Sequence, residues 1–208
     1  MVHLLLDALA VLLPVECAGC GSPDRSVCAG CRAAIGPPVL SRVGRLEVTS
    51  AARYSGVVRE LVLALKEGGR TDAAAALAAA IAPLLAAASD RGSELALLPS
   101  SRAAFRRRGY DPVGLLVARA GFRPRAVLRP TRATAAQKSL DVEARAHNLQ
   151  GSLVAVGDLA GRRFTLVDDV VTTGATLREA RRAILAAGGE VVGAVTVAST
   201  PSYFERSR

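Results

Sequence analysis

Two adjacent carboxylates stand between an apolar run and a segment of small hydroxyl residues. Asp168 and Asp169 follow the run Phe164–Val167 and precede the sequence Val170-Val171-Thr172-Thr173-Gly174-Ala175-Thr176. The apolar run predicts a buried parallel strand, and the apolar spacing after Thr176 predicts a helix. Helix N-termini bind anions through free amides, while carboxylates suit sugar hydroxyls or Mg²⁺. The segment therefore predicts a site for a sugar phosphate.

The same residues also fit an ordinary strand-to-helix turn. In that interpretation a threonine caps the helix and both acids are solvated, an arrangement common in proteins. We favour the ligand site because four apolar residues, two acids and Thr-Thr-Gly-x-Thr occur together at fixed offsets. Their order resembles the phosphoribosyl pyrophosphate (PRPP) motif of type I phosphoribosyltransferases.

The four cysteines form two C-x-x-C pairs within a short stretch near the start of the chain. They are Cys17, Cys20, Cys28 and Cys31. Two such pairs place four thiolates around Zn²⁺, and four protein ligands leave no open position, so the site would be structural. The alternative is disulfides or redox-active thiols, which a reducing cytoplasm and the lack of a thioredoxin-like context disfavour. We predict a compact zinc knuckle.

The first residues of the chain are apolar without forming a membrane signal. The stretch His3–Leu13 has no basic leader, contains Asp7 and is too short to span a bilayer. We expect a short helix there, a cytoplasmic protein and no membrane insertion.

The positive charge of the chain is concentrated in one segment. The chain has 208 residues and a formal net charge of +9. Counting by segment places eleven basic and three acidic side chains in residues 101–145, and near balance elsewhere. This distribution predicts a local anionic partner.

Apolar runs and helical patterns alternate as an α/β fold requires, with ample material for a core. The predicted strands are Leu46–Tyr54, Glu94–Leu98, Ala126–Leu128, Phe164–Val167 and Glu190–Ala198. The predicted helices are Val57–Leu65, Asp72–Ala82, Pro83–Ala88, Val113–Ala120 and one starting near Thr176, where Pro83 either kinks one helix or begins a second. We expect a parallel sheet flanked by helices, of the type I phosphoribosyltransferase kind, over residues 45–208. Residues 1–40 would form the N-terminal helix and the zinc knuckle, similar to a double zinc ribbon.

Nearly the whole chain resembles the ComF family of competence-associated, phosphoribosyltransferase-like proteins. The resemblance rests on the cysteine knuckle, Tyr54-Ser-Gly-Val-Val-Arg-Glu-Leu with Leu65-Lys66, Arg106-Arg107-Arg108-Gly109-Tyr110, Gln137 with Arg145-x-x-Asn148, and the acidic motif. It implies that Asp168 and Asp169 contact ribose hydroxyls and, indirectly, Mg²⁺. It also implies that residues 172–176 surround the 5-phosphate of PRPP, within a PRPP-binding stretch that runs from Asp168 through Val170 and Val171 to Thr176.

The turn Leu98-Pro99-Ser100-Ser101-Arg102 stands where such enzymes place the pyrophosphate loop. We expect Ser100 and Ser101 to bind PRPP, and Arg102 and Arg108 to engage the leaving pyrophosphate, since Arg forms bidentate bonds to phosphate. Together with the two acids, these arginines are our candidate catalytic residues. Lys66 is a candidate phosphate contact, although a basic residue at a helix C-terminus is explained by the helix dipole alone.

A long polar loop to about Gln150 resembles the mobile hood that closes over PRPP. Its candidate contacts are Arg132, Gln137 and Arg145. Loops of this length are usually functional lids or disordered. Closure would exclude water from a ribosyl cation during transfer.

The sequence thus predicts a Mg²⁺-dependent phosphoribosyltransferase that releases pyrophosphate and has an unidentified nitrogen acceptor. The alternative is a non-catalytic accessory protein of DNA uptake or repair that binds single-stranded DNA and keeps PRPP as a ligand. The basic segment favours it, but the scarcity of aromatic residues for base stacking does not. Two departures from the family pattern, Asp111-Pro112 and Ser100, bear on the acceptor side.

Overall fold

A five-stranded sheet forms the centre of the protein. The computed structural model describes residues 15–23, 25–131 and 150–200. The sheet runs in the order β1 (Val39–Val43), β2 (Leu46–Arg53), β7 (Glu190–Ser199), β6 (Arg163–Val171) and β3 (Glu94–Leu97). The strands β2, β7, β6 and β3 are parallel, while β1 pairs antiparallel with β2 as an edge hairpin. A second sheet consists of β4 (Leu128–Pro130) and β5 (Leu153–Ala155).

Helices cover both faces of the large sheet, which confirms the predicted α/β fold. They are α1 (Ala29–Ala33), α2 (Gly56–Lys66), α3 (Ala74–Asp90), α4 (Arg102–Arg108), α5 (Pro112–Arg119) and α6 (Ala175–Ala186). One core lies between the sheet and the helices α2, α3 and α5. The other lies between the opposite face, α6 and the small sheet.

The central strand β6 shows why the sheet is buried on both sides. Phe164 and Leu166 belong to the α6 core, whereas Val167 belongs to the opposite core. All three side chains have 0% exposure. Side chains alternate between the faces of a strand, so a nearly continuous apolar run buries both faces of a parallel strand. Each such side chain contributes about 1.5–3 kcal/mol by leaving water.

The alanine-rich segment forms one helix and not two. A short 3₁₀ turn, Thr71–Ala73, leads directly into α3, which continues through Pro83 to Asp90. Proline inside a helix removes one backbone hydrogen bond. Burial of Leu77, Ile81 and Leu85, all with 0% exposure, favours the uninterrupted helix despite that loss.

This segment is also long and apolar enough to cross a membrane by length and composition. It comprises 20 residues from Thr71 to Asp90, with a mean hydropathy of 1.7. In the fold it packs against β2, β3, β7 and α5. Core helices commonly meet the same criterion, so the segment is explained as the helix that covers one face of the sheet.

Some elements differ from the sequence predictions. The expected strand Ala126–Leu128 is shifted to Leu128–Pro130, where it pairs with β5. The edge strand β1 was not predicted, since its pattern is short and its Leu40 is 80% exposed. The basic run Arg106–Arg108, for which the sequence predicted no element, lies in the helix α4. Ser101 caps this helix by accepting from the backbone N of Ala104 at 3.1 Å.

A buried ion pair joins α6 to the small sheet. Glu179, whose side chain is 4% exposed, accepts from the backbone N of Leu153 at 3.0 Å and from Nε of Arg182 at 2.7 Å. Arg182 Nη2 in turn donates to the carbonyl oxygen of Leu153 at 2.8 Å. Burial opposes ionisation of Glu179, but these donors lower its pKa below the usual range. The charged pair therefore fixes β5 against α6.

Candidate functional site

The carboxyl ends of β3 and β6 lie side by side and bring the predicted motifs together. Leu97 pairs with Val167, and the backbone N of Leu98 continues the ladder by donating to the oxygen of Val167 at 3.1 Å. The chain after Leu98 therefore leaves the sheet next to Asp168. Ligands of open α/β sheets bind at this edge, where neighbouring connections diverge.

The strand β6 is longer than predicted. It continues through Val171, so both acids belong to the strand and the connecting loop contains only residues 172–174. Asp168 pairs with Thr196 of β7 and Val171 with Ser199. The strand extends this far because β7 continues to pair with it. The sequence of β6 alone does not show which strand lies beside it.

Short hydrogen bonds fix both carboxylates. Asp168 Oδ1 accepts from the backbone N of Asp169 at 2.8 Å, and Asp169 Oδ1 accepts from the backbone N of Val170 at 2.6 Å. Lys66 Nζ lies 2.8 Å from Asp169 Oδ2. The side chains of Lys66 and Asp169 are only 31% and 19% exposed, so this ion pair is partly enclosed.

Burial raises the pKa of Asp168 to about 7, and the neighbouring charge of Asp169 adds to the shift. The backbone N–H of Asp169 and the charge of Lys66 oppose it, while Asp111 reinforces it. A cation or hydroxyl donor that reaches this carboxylate would therefore relieve an unfavourable charge. Two adjacent carboxylates are also the oxygen ligands that Mg²⁺ takes alongside substrate phosphates, so the residues present fit this ion.

The loop after β6 leads directly into the N-terminus of α6. Gly174 adopts the left-handed conformation with φ of 70° and precedes the first residue of α6. Thr172, Thr173 and Thr176 are exposed. Gly174 occupies the cap position and provides no side-chain cap, while Thr173 Oγ1 accepts from the backbone N of Ala175 at 3.4 Å. The N-terminus of α6 therefore retains amides and hydroxyls that can serve a phosphate.

Other residues of the predicted motif contribute backbone and not side chains. The side chains of Val171 and Ala175 are buried, and Val170 packs partly against the core beneath α2 and α3. Val171 also accepts from the backbone N of Thr200 at 3.0 Å. Their apolar side chains anchor the loop to the sheet, leaving the threonines to face solvent.

The turn after β3 is held by a pair that sequence reasoning did not connect. Ser100 Oγ donates to Asp111 Oδ1 at 2.8 Å, and Asp111 Oδ2 accepts from the backbone N of Gly114. Asp111 thus caps α5 while holding the turn. Ser100 and Asp111, at which the sequence departs from the pattern of the family it resembles, are thus hydrogen-bonded to each other.

A pocket of about 340 Å³ opens beside this turn. Its lining residues are Ser100, Arg102, Phe105, Arg106 and Asp111. Arg102 and Arg106 lie one helical turn apart on α4, so they present their guanidinium groups on one side. Arg108, which we favoured from sequence, does not line this pocket. Its Nε is buried without a hydrogen-bond partner in the described part of the chain.

Phe105 is thus a site-edge residue that the sequence did not single out, whereas Arg106 and Asp111 stood in motifs of the family resemblance without an assigned contact. Phe105 and Arg106 reach the pocket because α4 is a helix. The three consecutive arginines hid the helical spacing of this segment in the sequence. The signal that was available was the N-cap Ser101 before a run of helix-forming residues.

The four cysteines meet in a geometry that fits a tetrahedral metal site. Their sulfur atoms all lie within 4.8 Å of one another, and the sulfurs of Cys20 and Cys28 are 3.7 Å apart. Four thiolates at about 2.3 Å from Zn²⁺ would be about 3.8 Å apart. Burial opposes ionisation of Cys17, yet backbone N–H groups, that of Cys28 first, lower its pKa to about 6. The cluster is suited to bind a cation.

The cysteine cluster packs against α2. Cys17, Val27 and Cys31 share a core with Val58 and Leu61 of that helix. A Cβ at Gly19 would lie 2.8 Å from the sulfur of Cys31 and 3.0 Å from Val57 Cγ1, so only glycine fits there.

A polar tie strengthens the same contact. Arg70 Nη2 donates to the carbonyl oxygen of Glu16 at 2.7 Å and also to Asp72 Oδ2 at 2.8 Å. The region of the cysteine cluster therefore contacts the start of α2, near Val57, and the turn beyond its end, at Arg70. Lys66 is the last residue of this helix.

The predicted hood contacts Arg132, Gln137 and Arg145 lie outside the described residues. The structure does describe the chain on either side of them. Thr131 donates its backbone N–H to the oxygen of Ser152 at 2.8 Å, next to the small sheet.

The close approach of Gly174 to the edge hairpin yields a stability prediction. A Cβ at Gly174 would lie 2.4 Å from both Cγ atoms of Val43, whereas Gly44 has a similar φ of 62° and open space. We expect Gly44→Ala to cost about 1 kcal/mol for the left-handed backbone and Gly174→Ala about 1–3 kcal/mol more for the clash. Denaturant unfolding measures both, and adding Val43→Ala should recover part of the excess. Equal losses for the two glycine variants would contradict this contact.

The raised pKa of Asp168 predicts a pH-dependent stability. Since this pKa exceeds the value of about 3.9 in an unfolded chain, the stabilisation is present below that value and is lost as the pH rises through about 7. We expect Asp168→Asn to raise Tm by a few degrees at about pH 8 and by less at about pH 5.

Glu94→Gln is the matched control for that experiment. Hydrogen bonds from Arg162, and then from Arg125, hold the pKa of Glu94 below its usual range. Its stabilisation is present above the unfolded pKa, so Glu94→Gln should lower Tm at neutral pH. A fall in Tm for Asp168→Asn at about pH 8 would refute the unfavourable charge at Asp168.

Comparison with known proteins finds similarity in the later part of the chain. Residues 117–208, which include β6, α6 and β7, match the family model of the phosphoribosyl transferase domain. Three proteins named orotate phosphoribosyltransferase are similar over short segments. The one from Nocardioides sp. is 62% identical over 34 residues, which is 16% of this chain and 19% of the relative.

The other two relatives are archaeal. The protein from Methanopyrus kandleri is 60% identical over 42 residues, covering 20% of this chain and 23% of the relative. That from Pyrobaculum aerophilum is 49% identical over 45 residues, covering 22% and 23%. The matching segments thus span about a fifth of each relative's length. Residues 117–208 are therefore similar to the phosphoribosyl transferase domain, and the parallel sheet flanked by helices agrees with that similarity.

Proposed function

We propose that this protein is a Mg²⁺-dependent phosphoribosyltransferase that uses PRPP and releases pyrophosphate. The observation that carries the proposal is the placement of Asp168 and Asp169 at the end of β6. Immediately after them come the Gly174 loop and the N-terminus of α6, with the Ser100–Arg102 turn at the adjacent strand end. The matching phosphoribosyl transferase domain over residues 117–208 supports the same activity.

Each part of this edge suits one part of PRPP. The carboxylates of Asp168 and Asp169 would accept hydrogen bonds from the ribose hydroxyls. The amides and hydroxyls of residues 172–176 would hold the 5-phosphate. Arg102 and Arg106, with Ser100 and Ser101, would hold the diphosphate, for which two guanidinium groups provide bidentate donors. Mg²⁺, when bound, neutralises part of the diphosphate charge.

The reaction that follows exchanges one bond at the ribose. The bond from C1 to the diphosphate oxygen breaks, and a nitrogen of the acceptor forms the new bond to C1. The donors around the diphosphate stabilise the charge that develops on the leaving group. No side-chain nucleophile is required, so the side chains mainly position the substrate and balance its charge. Arg108, the last residue of α4, has a buried Nε and would support that helix.

The acceptor, the ComF relationship and the link to DNA uptake remain predictions from sequence. Orotate is the acceptor to test first, because relatives with that name share short segments with this chain. Binding of single-stranded DNA is less well supported. Among aromatic side chains in the described ranges only Phe105 is well exposed, at 49%, whereas such proteins stack successive bases on several aromatics. We propose a cytoplasmic location, where four free thiols are retained for a metal.

The proposal predicts PRPP binding that depends on the two acids. We expect Asp168→Asn with Asp169→Asn to weaken PRPP binding by at least about tenfold in calorimetry with Mg²⁺, because the ribose hydroxyls lose charged acceptors. Glu190→Gln is the control. Glu190 pairs with exposed Arg163 at the amino ends of β7 and β6, whereas the candidate site lies at their carboxyl ends. Unchanged PRPP binding in the double variant would refute the site.

Turnover is measured in the same proteins by pyrophosphate release. The acceptor panel should contain orotate, other nucleobases, simple amines and oligonucleotides. Release with a small nitrogen acceptor supports the transferase. Salt-sensitive oligonucleotide binding without release would instead favour the accessory protein.

We further propose that the cysteine cluster holds one structural Zn²⁺. We expect about one zinc per chain by elemental analysis under reducing conditions. Its removal by a chelator should lower Tm by at least about 5 °C, because such sites contribute folding energy. PRPP affinity should fall as well, since the cluster braces α2 next to the site. Purified protein without zinc, or a chelator effect that persists after Cys20→Ser with Cys28→Ser, would contradict this role.

A further inference from the structure

Lys66 occupies a position that the ligand of the site would need. Its Nζ lies 2.8 Å from Asp169 Oδ2, while Oδ1 of the same carboxylate already accepts from the backbone of Val170. Both oxygens of Asp169 are therefore engaged by groups of the protein itself. A ribose hydroxyl or a cation that approaches Oδ2 must share it with Lys66 or displace it.

The ammonium is held at this place by the surrounding structure. Lys66 is the last residue of α2, and the hydroxyl of Tyr110 donates to the carbonyl oxygen of the preceding Leu65. The side chain of Leu65 is 1% exposed in the core. The Tyr110 hydrogen bond and the buried side chain of Leu65 therefore fix the backbone next to Lys66. The ion pair between Lys66 and Asp169 is thus a defined contact of the fold.

One lysine compensates only one of two adjacent carboxylates. The charges of Asp169 and Asp111 raise the pKa of Asp168 and that of Lys66 lowers it, so Lys66 offsets only part of the negative charge of these carboxylates. A substrate that brings a Mg²⁺ ion adds positive charge to the carboxylates and negative charge on its phosphates. Both changes weaken the electrostatic attraction between Asp169 and Lys66, and they add an attraction between Lys66 and the phosphates.

We propose that Lys66 is an internal counter-ion that holds Asp169 until Mg²⁺ and PRPP arrive, and then transfers its ammonium to a phosphate oxygen of PRPP. The flexible four-carbon stem of lysine permits this movement while the backbone stays fixed. This inference rests on the proposed function. It assigns Lys66 two successive partners, so the loss of its charge must affect the two ligands in opposite directions.

The test is calorimetric titration of wild type and Lys66→Gln, first with Mg²⁺ alone and then with PRPP at saturating Mg²⁺. We expect Mg²⁺ alone to bind Lys66→Gln several-fold tighter, because no cation competes for Asp169. We expect PRPP to bind it at least about tenfold more weakly, because a charge-assisted phosphate contact is lost.

Two further variants isolate the effect. Arg59→Gln removes one positive charge from the same helix at an exposed pair with Glu60, and it should change neither affinity by more than about twofold. Lys66→Arg keeps the charge, so it should bind Mg²⁺ alone no more tightly than wild type, and it serves if Lys66→Gln fails to fold.

The outcomes separate this inference from the function on which it rests. A loss of both affinities in Lys66→Gln, or a change in neither, would overturn the counter-ion and leave PRPP binding by wild type intact. If Lys66→Gln does not fold, tighter Mg²⁺ binding by Lys66→Arg than by wild type would overturn it as well. Absence of PRPP binding in wild type would remove the proposed function together with this inference.

Discussion

Two carboxylates side by side at the end of a buried strand repel each other and lose hydration, and the structure around the site depends on how that charge is balanced. Asp168 and Asp169 cannot leave this position, because β6 is paired on both sides through Val167. Backbone amides satisfy one oxygen of each, and Lys66 satisfies another. The placement of α2, which ends at Lys66, therefore follows from an electrostatic requirement as well as from packing.

The cysteine cluster is best understood as part of that same support. It contacts α2 through Gly19 and a shared core, and Arg70 ties it to the turn beyond the helix. A small metal site contributes rigidity where a short segment has little apolar surface of its own. The chain thus places the cysteine cluster, our proposed metal site, against the helix that presents the ammonium, although the cysteines lie far from the acids in sequence.

The local parts of the site were legible in the sequence, and the contacts between them were not. The acids, the threonines and Gly174 are recognisable because strand, loop and helix signals occur consecutively, and the cysteine spacing is equally local. By contrast, the bonds of Ser100 to Asp111 and of Lys66 to Asp169 join separate segments. The extension of β6 to Val171 depends on β7, and three consecutive arginines hid the helical form of Arg102–Arg108. Such features depend on tertiary pairing that no single segment encodes.

The contact between Gly174 and Val43 has a consequence for how this sequence can diverge. An edge strand normally tolerates substitution, because its outer side faces water and its pairing has one neighbour. Here residue 43 lies where a side chain on residue 174 would have to go, so the two positions are coupled although they are distant in the chain. Enlargement at position 43 and any departure from glycine at position 174 exclude each other. Amino-acid substitution in the edge strand β1 is therefore limited by the loop at the candidate site that contains Gly174.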